Sequence, residues 1–217
     1  MFDFSILEEY FPYLISGTKY TIGLSIAGGL LGSIVGLALA LSKMSSIRWL
    51  AVSASAFIEI IRGTPLLLQL FVVYFGIAPL LGRQTDGVWA AVFALVINSS
   101  AYIAETFRAG ILAVPREQME AAQALGLSWW QSMYHIIFPQ ALRNVLPPLG
   151  NTFANLIKDS SLASVIATPE LMYWCNAANA QYYRIWETFI TAGIIYFFLT
   201  FTLSRLLSCL EKKLRPY

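Results

Sequence analysis

An all-α, polytopic integral membrane protein with five transmembrane helices is the fold class this sequence predicts. Three observations carry that expectation. Of 217 residues, 58% are hydrophobic and 12% charged, against roughly 25% charged in soluble domains. Five largely uncharged stretches approach the roughly 20 residues that cross a bilayer. The basic residues between them fall mostly on one side of the implied membrane. A single membrane domain, residues 1–217, accounts for the whole chain. A formal charge of +2 is too small to argue for nucleic acid. One histidine, His135, and two cysteines, Cys175 and Cys209, lack metal-ligand spacing, so no metal site is expected. Both thiols are expected to be buried. The start, MFDFSILEEY, is acidic and has no basic leader region, so no cleavage is expected.

The first span is expected at 20–42, free of charge. It carries Gly28, Gly32 and Gly36 on one face at a spacing of four, which lets helix backbones approach closely. That face is expected to pack within the chain rather than against a second copy. The second span, 50–82, contains the sequence RGTP. Gly63 and Pro65 there weaken the helix, which leaves open a span that starts at Thr64 with residues 49–62 along the interface. The third span is 87–113, the fourth 139–166 and the fifth 187–210. Lys43, Arg48, Arg116, Arg143, Arg205, Lys212, Lys213 and Arg215 flank one side; Lys19, Arg83 and Arg184 flank the other. The positive-inside rule then puts the N-terminus outside and the C-terminus in the cytoplasm. The outer segments are acidic, with Asp3, Glu8, Glu9, Asp86, Glu170 and Glu187. Trp49, Trp89, Trp174 and Trp186 sit near span ends, where such rings prefer the interface.

Between the third and fourth spans lies a long polar interruption, 115–139, placed in the cytoplasm by this orientation. Pro115 suits a first helical position, and Glu117 and Glu120 favour the positive end of a helix. Met119, Ala122 and Leu125 repeat at helical spacing, and Gly126 is a natural stop. Ser128 and Gln131 form an S-x-x-Q capping box opening a second short helix, expected to end by Pro139. The loop therefore reads as a helix-turn-helix elbow. It suits either a connector on the membrane surface, with Trp129 and Trp130 in the headgroups, or a knob that docks in a partner's groove.

In this elbow the sequence resembles a known family. EAAQALG, followed by nine residues and IIFP, matches the EAA signature of ABC importer permeases through Glu120, Ala121, Ala122, Gly126, Ile136 and Pro139. Phe138 stands where the family often has leucine. IEIIRGTPLLLQLFVVYFG (58–76), AYIAETFRAGI (101–111) and LIKDSSLASVI (156–166) resemble the subfamily that imports polar amino acids. The resemblance implies that the elbow is a coupling helix seated in a cytoplasmic ATP-binding subunit, present in two copies. Glu120, Ala121, Ala122 and Gly126 would be the ATPase-coupling residues. It also implies a homodimer or a heterodimer with a similar permease, an extracytoplasmic solute-binding protein, and a bacterial inner membrane. The chain has no G-x-x-x-x-G-K-[ST] phosphate loop, so ATP and its magnesium belong to the partner and this chain binds no cofactor of its own.

Ionisable residues at bilayer depth are costly and are functional candidates. Glu59 with Arg62, and Glu105 with Arg108, are each three apart on a helix face and can pair. Lys158 and Asp159 are adjacent and point about 100° apart, so Asp159 lacks a local partner. Asp159 continues a stripe with Asn144, Asn151 and Asn155. Asn98, Tyr102 and Glu105 form a second stripe, and the two are expected to line one cavity. The candidate substrate-binding residues are Asn98, Tyr102, Glu105, Asp159, Ser160 and Ser161, with Thr64 and Gln69 at the RGTP break. The bare carboxylate of Asp159 favours a cationic amino acid, with glutamine close behind. The expected function is thus the permease subunit of an ATP-driven amino-acid importer working by alternating access, and not an enzyme. The alternatives are an ion-gradient-driven secondary transporter or channel and, from another class, an intramembrane protease using Glu105 and Asp159. The protease has no recognisable catalytic motif behind it.

Overall fold

The computed structural model describes residues 6–82 and 87–214, and the elements within them are helical throughout, without strands. The expectations that rest on Asp3, Arg83, Asp86 and Arg215 lie outside the described residues.

Helix α1 runs Ile6–Lys43, 38 residues, with Glu8 and Glu9 in its first turn and Pro12 inside it. It begins well before Tyr20, because two acids at the positive end of the helix favour an earlier start. At 1.5 Å per residue it is about 57 Å long and reaches beyond the roughly 30 Å hydrocarbon layer. Helix α2 (Arg48–Arg62) ends at Gly63, and the chain bends by 105° into α3 (Leu66–Phe71). The expected second span is therefore not one straight helix. A π-helical turn, Val72–Ile77, leads to α4 (Ala78–Leu80). Helix α5 (Gly87–Leu112) follows, then the short α6 (Arg116–Ala124) and α7 (Trp129–Ser132). A second π turn, Met133–Ile137, feeds α8 (Phe138–Asp159). A 3₁₀ turn, Ser160–Ile166, precedes α9 (Leu171–Tyr182) and α10 (Ile185–Leu214).

Both π turns have the same cause. Each closes with a bond across five residues, Ala78 N–H to Val73 O and Phe138 N–H to Met133 O, and each is followed at once by proline, Pro79 and Pro139. A helical proline has no N–H to give, and its ring crowds the carbonyl four residues back. Widening the turn moves that carbonyl away and lets the helix continue. So Pro139 does not end the second elbow helix, as its sequence position suggests. It carries the chain, still helical, into α8.

Among the described residues three helices, Glu8–Lys43, Gly87–Leu112 and Ile185–Cys209, are long and apolar enough to cross a membrane. The bent pair Arg48–Arg62 and Leu66–Leu80 makes a fourth if taken as one span. Helix α8 is not among them: three asparagines and the internal Pro147 and Pro148 make it too polar on composition alone.

The glycines of α1 pack inside the chain. A Cβ on Gly28 would lie 3.1 Å from Leu95 Cβ, and one on Gly36 would lie 2.9 Å from both Ser100 O and Ile103 Cγ2. Ser99 Oγ donates to Gly28 O at 2.8 Å across the same seam. Small residues here let α1 lie directly on α5, the most enclosed helix of the fold. Leu24, Leu70, Ala94, Leu95, Leu156 and Ile166 bring α1, α3, α5, α8 and the 3₁₀ turn into one apolar core.

At the end opposite the elbow, α9 closes over α1 and α10. Tyr10, Leu14, Leu171, Cys175, Ala178 and Ala192 form its core. Glu170, fully buried, caps α9 by accepting from Tyr173 N at 2.7 Å and Met172 N at 2.9 Å. It also accepts from Tyr196 Oη of α10 at 2.9 Å and from Thr21 Oγ1 of α1 at 3.4 Å, and Thr21 Oγ1 accepts in turn from Leu171 N at 3.2 Å. One carboxylate thus ties three helices. Burial, with the Glu170 carboxylate nearby, pushes the Cys175 thiol up to about 12, so it is an inert packing group. Cys209, by contrast, is exposed on α10, which corrects the expectation that both cysteines are buried. Trp174 is likewise engaged, donating to Pro169 O at 3.2 Å and packing 4.6 Å from the Tyr13 ring. Replacing Glu170 with alanine strips several buried donors of their acceptor, at about 1–3 kcal/mol for each group left unpaired. The expected result is a purified protein whose thermal unfolding midpoint falls by many degrees; a variant that melts with the wild type contradicts the clasp.

Candidate functional site

The elbow is built from two local signals. Gly126 holds φ at +84°, a left-handed conformation in which glycine carries no steric cost. It ends α6 with paired closing bonds, Gly126 N to Gln123 O at 2.9 Å and Leu127 N to Ala122 O at 3.2 Å, the Schellman pattern. Ser128 and Gln131 then cap each other's backbone, at 2.8 and 3.3 Å, and start α7. Pro115 stands one position before α6 as its cap rather than inside it, because its ψ of 136° is extended. The elbow has its own small core of Ile111, Val114, Ile137 and Ala141, with Met119, Met133 and Ile136 against it. Ala122 is buried, while Glu120, Ala121 and Gly126 are exposed. Leu125 leaves the apolar face expected of it and is 82% exposed, because the helix has already ended there. With Trp130 and Tyr134, each 72% exposed, it gives the elbow a bare apolar tip.

Beside the elbow, α2, α5 and α8 line an open cavity of about 540 Å³. Arg62, Tyr102, Glu105, Asn144, Asn151 and Asn155 are among its walls. Tyr102 and Glu105 therefore meet the asparagine stripe of α8. Asn98 does not line this cavity. Its amide donates to Gln69 Oε1 at 3.0 Å, and Gln69 Nε2 donates to Ile61 O at 2.8 Å and to Thr64 Oγ1 at 3.0 Å. Thr64 Oγ1 donates in turn to Ile60 O at 2.9 Å. Gln69 and Thr64 thus satisfy carbonyls freed by the RGTP break, as a buried backbone requires, and Asn98 holds Gln69 in place. Ser160 is fully buried and donates to Ile157 O at 2.8 Å; Ser161 donates to Lys158 O at 2.6 Å. Asp159 is half-buried, one turn beyond Asn155, and makes no hydrogen bond or ion pair among the described residues.

The ionic pattern differs from simple pairing. Glu105 does pair with Arg108, at 2.8 Å, but Lys43 at the end of α1 also reaches it at 2.7 Å. Arg108 Nε adds a further bond at 3.0 Å, so the carboxylate is filled by two cations. Glu59 and Arg62 form no ion pair among the described residues. Instead the Arg62 guanidinium stacks over the Tyr102 ring, 5.5 Å from its centre. Neither Lys43 nor this stacking was legible in sequence, since both join residues far apart along the chain.

A family profile described as the binding-protein-dependent transport system inner membrane component matches residues 28–216. The chain belongs to that family. As the membrane component of a transport system it is a permease subunit and not an enzyme, and the EAA elbow is the part expected of the family. The permease is 38% identical over 213 residues to the arginine transport system permease protein ArtQ of Bacillus subtilis, covering 98% of this chain and 97% of ArtQ. It is 41% identical to the probable glutamine permease protein GlnM of the same organism, covering 97% of each. Among solved structures, a crystal structure of an amino acid ABC transporter with histidines superposes with a TM-score of 0.91 at 42% identity, covering 98% of this chain and 99% of that one. The MetNI methionine ABC transporter shares the fold, with a TM-score of 0.82 at 20% identity, covering 96% of this chain and 99% of that one.

Proposed function

We propose that this permease carries a polar amino acid, with preference for a cationic one, across a bacterial inner membrane. The observation that supports this most is the polar cavity of α2, α5 and α8, set beside the elbow in a chain similar from end to end to amino-acid permeases. Exposed amides and hydroxyls at membrane depth have to face protein or water, so the cavity is completed by a second copy or a similar permease. The elbow then seats in an ATP-binding subunit, two per assembly, which holds ATP and magnesium, and a solute-binding protein delivers substrate to the opposite face. Closure of the ATPases draws the two elbows together and reorients the helices around the substrate. Five crossings, with α8 sheltered by its neighbours as the fourth, put the N-terminus outside and the C-terminus inside. Asp159 and Glu105, with Asn98, Tyr102, Thr64, Gln69, Ser160 and Ser161 around the passage, are the residues set to meet or frame the substrate.

The cationic preference rests on Asp159, a carboxylate left without a partner next to the cavity stripe. An unpaired intramembrane charge favours an opposite charge on its ligand. With the complete assembly in vesicles, Asp159→Asn is expected to cut arginine uptake about tenfold or more, the worth of one charge-assisted contact. Glutamine uptake should change far less. Wild-type uptake of glutamine with no competition from arginine, or an equal loss of both substrates in the variant, defeats the preference.

A further inference from the structure

Arg62, on the wall of the cavity and outside the set of polar residues that frame the passage, has the setting of a ligand-binding group. Two charged residues line the cavity, Arg62 and Glu105. Glu105 is already filled by Lys43 and Arg108. Arg62 has no carboxylate partner among the described residues, although Glu59 stands three positions before it on α2. Its guanidinium carbon lies over the Tyr102 ring, 5.5 Å from the centroid, a cation–π contact that does not use the guanidinium's N–H donors. Around it, Asn144, Asn151 and Thr152 offer neutral donors and acceptors and no anion.

We infer that Arg62 is a carboxylate-binding, specificity-determining residue of the passage, gripping the α-carboxylate of the amino acid in the cavity beside the elbow. The inference rests on the proposed transport of amino acids and extends it to a named contact. A guanidinium fork matches a carboxylate with two parallel hydrogen bonds, which an ammonium cannot imitate. Asp159 and Arg62 then divide the substrate's charges: Asp159 suits a cationic side chain, while Arg62 reads the group common to all amino acids. A site built around such a pair rejects a ligand that lacks the partner group, because the guanidinium is left unpaired.

The test is binding to the purified permease assembly, followed by saturation-transfer NMR with two ligand pairs. Arginine is compared with agmatine, and glutamine with 4-aminobutanamide; in each pair the second lacks only the carboxylate. Wild type should favour the amino acid over its decarboxylated analogue by about tenfold or more, the range of a charge-assisted hydrogen bond. Arg62→Gln should erase that ratio in both pairs, and Arg62→Lys should restore part of it. A wild type that binds both members alike, or a ratio unmoved by Arg62→Gln, overturns the assignment. Equal weakening of both members marks Arg62 as merely structural and overturns it too. ATP-driven uptake, measured on the same preparation, is a separate readout: its absence would count against transport while leaving the binding ratio to decide on Arg62.

Discussion

Replacing Gly36 with leucine is expected to abolish the folded permease. A Cβ at this position already lies 2.9 Å from the Ser100 carbonyl and 3.0 Å from Ile103 Cβ, and neither atom can swing aside. Helix α1 would have to lift from α5 along the seam that Gly28 and Gly32 continue. Overpacking a tight core costs about 1–3 kcal/mol for modest additions, and a full leucine against backbone exceeds a modest addition. Loss of the seam also exposes the bond from Ser99 to Gly28 O and shifts Lys43 away from Glu105. The measurement is the monodisperse yield and melting temperature of the detergent-purified chain. Gly23→Leu serves as the control, because nothing lies within 4 Å of a Cβ there. The first variant should be lost and the second should match wild type. A stable Gly36→Leu protein would show that α1 does not rest on α5 as described.

The second large effect falls on the elbow and leaves the membrane helices alone. Gly126 takes φ of +84°, and a β-branched residue there is a conformational outlier. Gly126→Val therefore costs about 1–2 kcal/mol locally and is relieved by opening the turn. Nothing lies within 4 Å of a Cβ at this position, so the strain comes from the backbone and not from a clash. Opening the turn breaks the bonds to Gln123 and Ala122 and re-aims α6, with Glu120 and Ala121, relative to α7. The expected outcome is a variant with wild-type yield and melting behaviour that no longer retains the ATPase subunit on affinity purification and shows no ATP-driven uptake. Gly126→Asn, which tolerates the left-handed region, should keep most of both. Full activity in the valine variant would mean that the elbow's shape does not matter to coupling.

These expectations also mark where sequence was enough. The turn of the elbow was legible because its signals are local: Gly126 stops one helix, and Ser128 with Gln131 starts the next, within six residues. The glycine face of α1 was legible for the same reason, since spacing alone fixes which residues share a side. What escaped was long-range or displaced. Lys43 meets Glu105 across 62 positions, and no pattern in the chain announces it. Glu170 read as one more acid in an outer loop, whereas its carboxylate caps α9 and binds the α10 hydroxyl of Tyr196. Asn98 reads as a substrate group because it continues the stripe of Tyr102 and Glu105, and Gln69 and Thr64 because polar residues near a broken helix look available. The break itself consumes much of their bonding capacity. Pro139 signalled a stop, and a widened turn removed the clash that would have made it one. The cavity stripe fared better in part: Tyr102, Glu105 and the asparagines of α8 do come together, because period and polarity fix which helix faces must avoid lipid.

The most direct test of the whole account is uptake by sealed vesicles holding the permease with or without its ATPase subunit and binding protein. Labelled arginine and glutamine should accumulate when all components and ATP are present, and should stop when ATP is replaced by a non-hydrolysable analogue. Neither a proton nor a sodium gradient should drive uptake by the permease alone. Accumulation by the isolated permease under such a gradient, with no ATPase on its elbow, would contradict the claim that the work enters there.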